Sequence, residues 1–161
     1  RTWFLDQWIR HSGWWPAHIV RLWQKGVTEW PLEVHRVPAP GSRLGHLAQP
    51  LEHYSYESLA DWGRKVIHFA GCEAEEAWRR GERPGVVALA WRLTLQPPLV
   101  FLRKLLLLSA WRDGLRGLVI ASSAAFATWL RSAMLWEILI TGAHPDLGGR
   151  PGGARERKLS Q

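Results

Sequence analysis

The apolar residues of this chain follow helical spacing from Ser55 onward and do not before it, which divides the sequence into two differently built parts. Leu59, Trp62, Val66 and Phe69 mark one apolar face of a first helix. Ser55 or Ser58 can cap its start, and Asp61 follows Ser58 by three residues as in a capping box. The helix is expected to continue through Ala74–Arg80 and to stop at Gly81, with a break over Glu82–Gly85. Pro97 or Pro98 suits the first turn of a second helix through Leu99, Leu102, Leu105 and Leu106 to about Trp111. Asp113-Gly114 interrupts it, and a third helix runs from about Leu115 to Ile140. Residues 141–161, rich in Gly, Arg and Pro, read as a disordered tail.

The third helix is too often interrupted by charge to be read as a membrane span. Its longest charge-free run, Gly117 to Leu130, is fourteen residues, against roughly 20 for a bilayer. Arg131 and Glu137 would lie inside any longer span, which is costly. An interfacial or core helix is expected, and Trp111, Trp129 and Trp136 suit either place. The charge of +7 sharpens this. Residues 1–82 carry ten basic and ten acidic side chains, whereas 83–140 carry seven basic residues against Asp113 and Glu137. Excess positive charge on the most apolar segment points to an anionic membrane surface. Nucleic acid is the usual rival for a basic chain. It is not expected as a partner, because the cations are scattered among leucines and no nucleic-acid motif is present.

Residues 1–50 read as short strands and loops. Trp3–Ile9 and His18–Trp23 have β-type composition, Glu33–Val37 is a short alternating run, and Pro38–Gly41 marks a loop. Within this part, Arg10–Gly26 combines Trp14, Trp15 and Trp23 with His11, His18, Arg10, Arg21 and Lys25. A rigid aromatic wall beside hydrogen-bond donors suits a sugar ring or another flat polar ligand. Cys72 is the single cysteine, which excludes an internal disulfide and a cysteine zinc cluster. The chain opens on Arg1 with what reads as mid-domain sequence, so it is expected to be a piece of a longer protein with essential parts upstream.

No nucleophile elbow, phosphate loop, dinucleotide fingerprint or Asp-x-Asp pair occurs. His35 ends an apparent strand before the Pro-Gly loop and is a weak candidate for catalysis. His53 precedes the first helix beside Glu52, Tyr54, Ser55 and Tyr56, a cluster able to grip a ligand or complete a metal shell, and equally able to be a helix start.

Taken in order, five segments resemble the C-terminal half of family 2 glycosyltransferases of the lipopolysaccharide-core glucosyltransferase type. They are His11-Ser12-Gly13-Trp14-Trp15-Pro16, Val20-Arg21-Leu22-Trp23, Val34-His35, His53-Tyr54-Ser55-Tyr56 with Ser58-Leu59 and Lys65, and Arg112 through Leu118. Together they cover about residues 8–137. The resemblance implies a GT-A fold whose Rossmann-like N-terminal half binds a nucleotide-sugar donor and a divalent metal, Mg or Mn. Such a metal belongs to the full-length enzyme, and none is expected in this fragment alone. Trp14, Trp15, Arg21, Tyr54, Tyr56 and Lys65 would then contact the acceptor or sugar, and His53 would lie near metal and diphosphate. The catalytic base is expected upstream. Arg36 stands where the family has Glu, which bears on acceptor choice or activity.

The expected architecture is therefore an α+β fragment, mainly α. Residues 1–50 form the last strands and loops of the GT-A domain, 51–140 a helical acceptor-side and membrane-facing extension with about three helices, and 141–161 the tail. The expected activity is hexosyl transfer to a lipid-linked or cell-envelope glycan, at the cytoplasmic side of the inner membrane as a peripheral protein. The fragment by itself is expected to be inactive. The alternative is a non-catalytic, membrane-associated helical module.

Overall fold

The computed structural model describes residues 1–20, 22, 45–56 and 58–145. A three-stranded sheet is built from β1 (Thr2–Phe4), β2 (Gln7–Ile9) and β3 (His53–Tyr56), in the order β2-β1-β3. The helices are α1 (Leu59–Arg79), α2 (Val86–Thr94), α3 (Gln96–Leu102) and α4 (Gly114–Thr141). A π-helical turn over Arg103–Leu107 extends α3, and a 3-10 turn over Ala110–Asp113 leads into α4. The architecture is mainly helical with a small mixed sheet, as the sequence implies.

The first surprise is in Trp3–Ile9, which reads as one strand and is a hairpin. Leu5 and Asp6 both take positive φ, 47° and 59°, so the chain reverses in two residues. Thr2 then pairs with Ile9, Trp3 with Trp8 and Phe4 with Gln7. The turn lacks the usual Asn-Gly signal and is held from outside. The Arg116 guanidinium of α4 donates to the Leu5 carbonyl from Nε at 3.0 Å and Nη2 at 2.8 Å, and to Gln7 Oε1 at 2.8 Å. His53–Tyr56, expected as a helix approach, is instead the strand β3, parallel to β1. Its register shifts so that Trp3 faces Tyr54 and Phe4 faces Tyr56. His18–Val20, expected to begin a strand, has no regular structure. Glu33–Val37, the loop at 38–41 and residues 146–161 of the expected tail lie outside the described residues.

The helix ends follow local sequence signals closely. Ser58 Oγ accepts from the Asp61 amide at 3.1 Å, as the capping pattern requires. Gly81, at φ 80°, ends α1 in a Schellman arrangement, with Gly81 N donating to Trp78 O and Glu82 N to Ala77 O. Pro97 and Pro98 occupy the first turn of α3. The helix α2 was not expected from sequence.

The expected apolar face of α1 is displaced. Leu59 is exposed, and the fully buried positions are the small residues Ala70, Gly71, Ala74 and Ala77. They allow close approach to α4, where Leu135 and Ile138 fill the space with Trp78, Met134 and Leu139. A second cluster joins Phe4 and Ile9 of the sheet to Ile120 of α4, with Trp14, Tyr56 and Trp62 packed around it. The two helices run parallel: Trp62 Nε1 donates to Ser123 Oγ at 2.7 Å near their starts, and Arg131 lies 4.0 Å from Glu73 further along. The segment Ala110–Thr141 is long and apolar enough, by length and composition alone, to cross a membrane. Its Arg131 is nonetheless paired within the protein, with Glu82 at 3.3 Å.

Glu82 gathers three elements, since it also accepts from Arg92 of α2 at 3.0 Å. The Arg92 hydrogen bond, aided by the charge of Arg131, holds its carboxyl below the usual range against the opposing effect of partial burial. A lowered folded pKa stabilises the protein above the ordinary value of about 4.3 and loses that effect as pH falls through the folded value. Melting temperatures taken from about pH 5 down to about 3 should therefore fall more steeply for the native chain than for Glu82→Gln. Equal slopes would show that this pair contributes nothing.

Candidate functional site

The sheet presents two unlike faces because side chains alternate along each strand. Phe4 and Ile9 point inward to α4. Trp8, Trp3 and Tyr54 come into register across the outer face, one from each strand. Trp3 and Tyr54 stack with centroids 5.6 Å apart and planes 12° from parallel. Trp15 meets Trp8 edge-on at 5.6 Å, and the guanidinium groups of Arg1 and Arg10 lie 4.9 and 4.6 Å from the Trp8 ring. Among the described residues the Nε1 atoms of Trp3 and Trp8 are sealed from solvent and meet no acceptor. A buried donor left in that condition costs about 1–3 kcal/mol.

Beside this aromatic row opens a cleft of about 500 Å³, lined by Trp3, Asp6, Gln7, Trp8, Arg10, His11, Arg112 and Asp113. Its wall is held by one carboxylate. Asp113, only 5 % exposed, accepts from the amides of Arg10 at 3.2 Å and His11 at 3.0 Å, and from Ser12 Oγ at 3.1 Å. His11 Nδ1 lies 3.0 Å from Asp113 Oδ1, which fixes the ring and leaves Nε2 as its other polar atom. Ser12 is tied further: its amide donates to Leu108 O at 2.9 Å, and Lys104 Nζ donates to its carbonyl at 3.0 Å. Burial, with the Arg103 charge adjacent, pushes the Lys104 ammonium below its ordinary pKa. The α3 end, the 3-10 turn and the loop after β2 are thereby locked into one wall.

The residues singled out from sequence separate into several places. Trp14 and Tyr56 sit in the aromatic cluster under the sheet, with Trp14 6.0 Å from Phe4 and 5.7 Å from Trp62. Tyr56 meets Trp62 edge-on at 4.3 Å, and burial raises its hydroxyl pKa. Lys65 covers the Tyr56 ring at 4.9 Å and pairs with Asp61 at 2.8 Å. Trp15 and Tyr54 belong to the outer face, and the Tyr54 hydroxyl donates to Glu52 at 3.1 Å, which raises its pKa. His53 is exposed on the edge strand β3. Arg21 and His35 lie outside the described residues, as does Arg36.

Among the described residues no three His, Cys, Asp or Glu side chains converge in a way that could hold a metal ion. Of the cleft residues, Arg10 belongs to the aromatic stretch and Arg112 to a resembling segment, whereas Trp3, Asp6 and Trp8 were not singled out from sequence. The signal lay in the spacing of Trp3 and Trp8, which share a face only if Leu5-Asp6 makes a two-residue turn.

No family model matches the chain, and no solved structure matches it.

Proposed function

We propose that this chain is the acceptor-side portion of a nucleotide-sugar-dependent glycosyltransferase acting on a lipid-linked glycan, and that the cleft beside β2 holds a sugar ring. One observation carries the reading: an aromatic row flanks a cleft whose walls mix donors and acceptors. Pyranose rings present apolar C–H faces and hydroxyl edges that both give and accept hydrogen bonds. Trp3, stacked on Tyr54, and Trp8, covered by Arg1 and Arg10, offer the apolar ring surface left beside these groups, Arg10 and Arg112 the donors, Asp6 the acceptor. Two of the segments carrying the resemblance, His11–Pro16 and Arg112–Leu118, supply parts of this wall, and His53–Tyr56 supplies the strand at its far side. The base that deprotonates the acceptor and the divalent metal that assists the leaving diphosphate belong, on this reading, to the upstream half of the enzyme.

The test is calorimetric titration of the chain with glucose, galactose and N-acetylglucosamine and their disaccharides. At least one should bind at about the 1 mM level, and Trp8→Ala should weaken it by about tenfold or more. Absence of binding across the set, or equal binding by the variant, removes the reading.

A second reading, a non-catalytic membrane-associated helical module, is favoured by a different observation. Asp113, Arg116 and Gly117, all within one of the resembling segments, make internal contacts that a purely structural motif would also need. It predicts no saccharide binding at all.

A further inference from the structure

The surface formed by α2, α3 and the turns leading into α4 does not look like one made for water. Val86 and Val87 are each 85 % exposed, Leu115 80 % and Leu107 77 %, with Leu102 and Leu106 also outside. Isolated exposed leucines are ordinary; a run of them on consecutive elements marks an interaction surface. Its charge is as one-sided as its hydropathy. Between residues 83 and 136 the sole carboxylate is Asp113, and that one is buried. Arg103 and Arg112 are exposed on the same elements.

We infer that this face lies in the plane of an anionic lipid bilayer, with the leucines among the acyl chains and the arginines at the phosphates. The occupant follows from the pairing of features. An apolar protein partner would explain the leucines but leave the absence of carboxylates without a role. A lipid surface takes both, since cations near it are drawn to the phosphates and insertion is shallow, about 5–10 Å. The pairing of Arg131 with Glu82 inside the protein fits a surface-lying arrangement rather than a span. Position follows as well. Arg112 lines the sugar cleft and is followed within the same short turn by the start of α4, with Trp111 beside it exposed, so the cleft adjoins the elements that carry the leucines. The glycan of a lipid-linked molecule emerges at such a surface. The inference stands independently of glycosyl transfer.

The experiment is co-sedimentation of the chain with phosphatidylcholine vesicles containing about 30 % phosphatidylglycerol, and with phosphatidylcholine alone. Partitioning should be about tenfold or more stronger onto the anionic vesicles and should weaken several-fold at about 0.5 M salt. Leu106→Asp with Leu107→Asp should reduce it by about tenfold or more while circular dichroism stays unchanged, both positions being exposed. Arg103→Glu, a milder variant, should lower only the anionic preference. Equal binding to neutral vesicles overturns the inference. Resistance to alkaline carbonate extraction also overturns it, because that marks a span. So does self-association of the native chain that the leucine variant abolishes without any vesicle binding, which would assign the face to a second copy.

Discussion

Gly117→Ala should destabilise the chain severely. A Cβ built at Gly117 would stand 1.7 Å from the Ala110 carbonyl oxygen and 2.7 Å from its carbon, with Asp113 Cβ at 3.1 Å. The two closest atoms are backbone, so no side chain can turn aside to make room. Either α4 moves away from the 3-10 turn or the turn unwinds. Moving α4 separates Ile120 from Phe4 and Ile9, and unwinding the turn displaces Asp113 from the loop it holds. Overpacking of this kind costs about 1–3 kcal/mol when the surroundings can relax and more when they cannot. Against a total of about 5–15 kcal/mol for an ordinary domain, a loss of roughly 4 kcal/mol or more is expected here. Gly63 provides the contrast. It lies within α1 with nothing within 4 Å of an added Cβ, so Gly63→Ala should stabilise the chain by about 0.5–1 kcal/mol. Urea unfolding of the two variants measures both. A Gly117→Ala chain whose midpoint matches the native one would show that the helix and turn are not in close contact.

Asp113→Ala should be nearly as damaging, by a different mechanism. The carboxylate serves two backbone amides, one hydroxyl and one imidazole nitrogen, all from Arg10, His11 and Ser12. Deleting it leaves the buried Ser12 hydroxyl and the part-buried Arg10 and His11 amides without their acceptor, and each unsatisfied buried donor costs about 1–3 kcal/mol. A combined loss of about 3–5 kcal/mol is expected. Asp113→Asn should fall between, because the amide nitrogen faces donors and cannot accept from them. Hydrogen exchange gives a residue-level check: protection of the Arg10 and His11 amides should drop in Asp113→Asn even at temperatures where the rest of the chain stays folded. Unchanged protection at those two amides would mean the carboxylate does not hold the loop. Because the same loop forms a wall of the cleft, saccharide binding should be lost in step with that protection.

These two residues belong to Asp113-Gly114-Leu115-Arg116-Gly117, a stretch that from sequence alone reads as an interruption at Asp113-Gly114 followed by the start of a helix. The interruption is real, with Gly114 at φ 64° where α4 begins. Its purpose was not legible. Asp113 meets residues about a hundred positions earlier, as does Arg116, and no local pattern reports contacts at that separation. The aromatic residues were legible as a class and misplaced individually. Trp14 stands out for its neighbours Trp15 and His11, yet it packs under the sheet, while Trp3 and Trp8, unremarked in a run resembling a single strand, form the outer face. A slip between one strand and a hairpin redirects every later side chain, because orientation alternates with each residue.

What the sequence determined by itself is local. Ser58 caps α1, Gly81 ends it, the paired prolines open α3, and the charge-poor run after Gly114 builds α4. Each depends on interactions within a few residues, whose energies are encoded where they act. The uneven charge between the two halves is equally a property of the sequence. Tertiary structure decided which aromatic rings face outward, which small residues of α1 are buried, and that a single carboxylate joins the loop after β2 to the start of α4. Those outcomes depend on which surfaces meet, and a turn held by a distant Arg116 or a helix seated on one Gly117 exists only once the chain has closed upon itself.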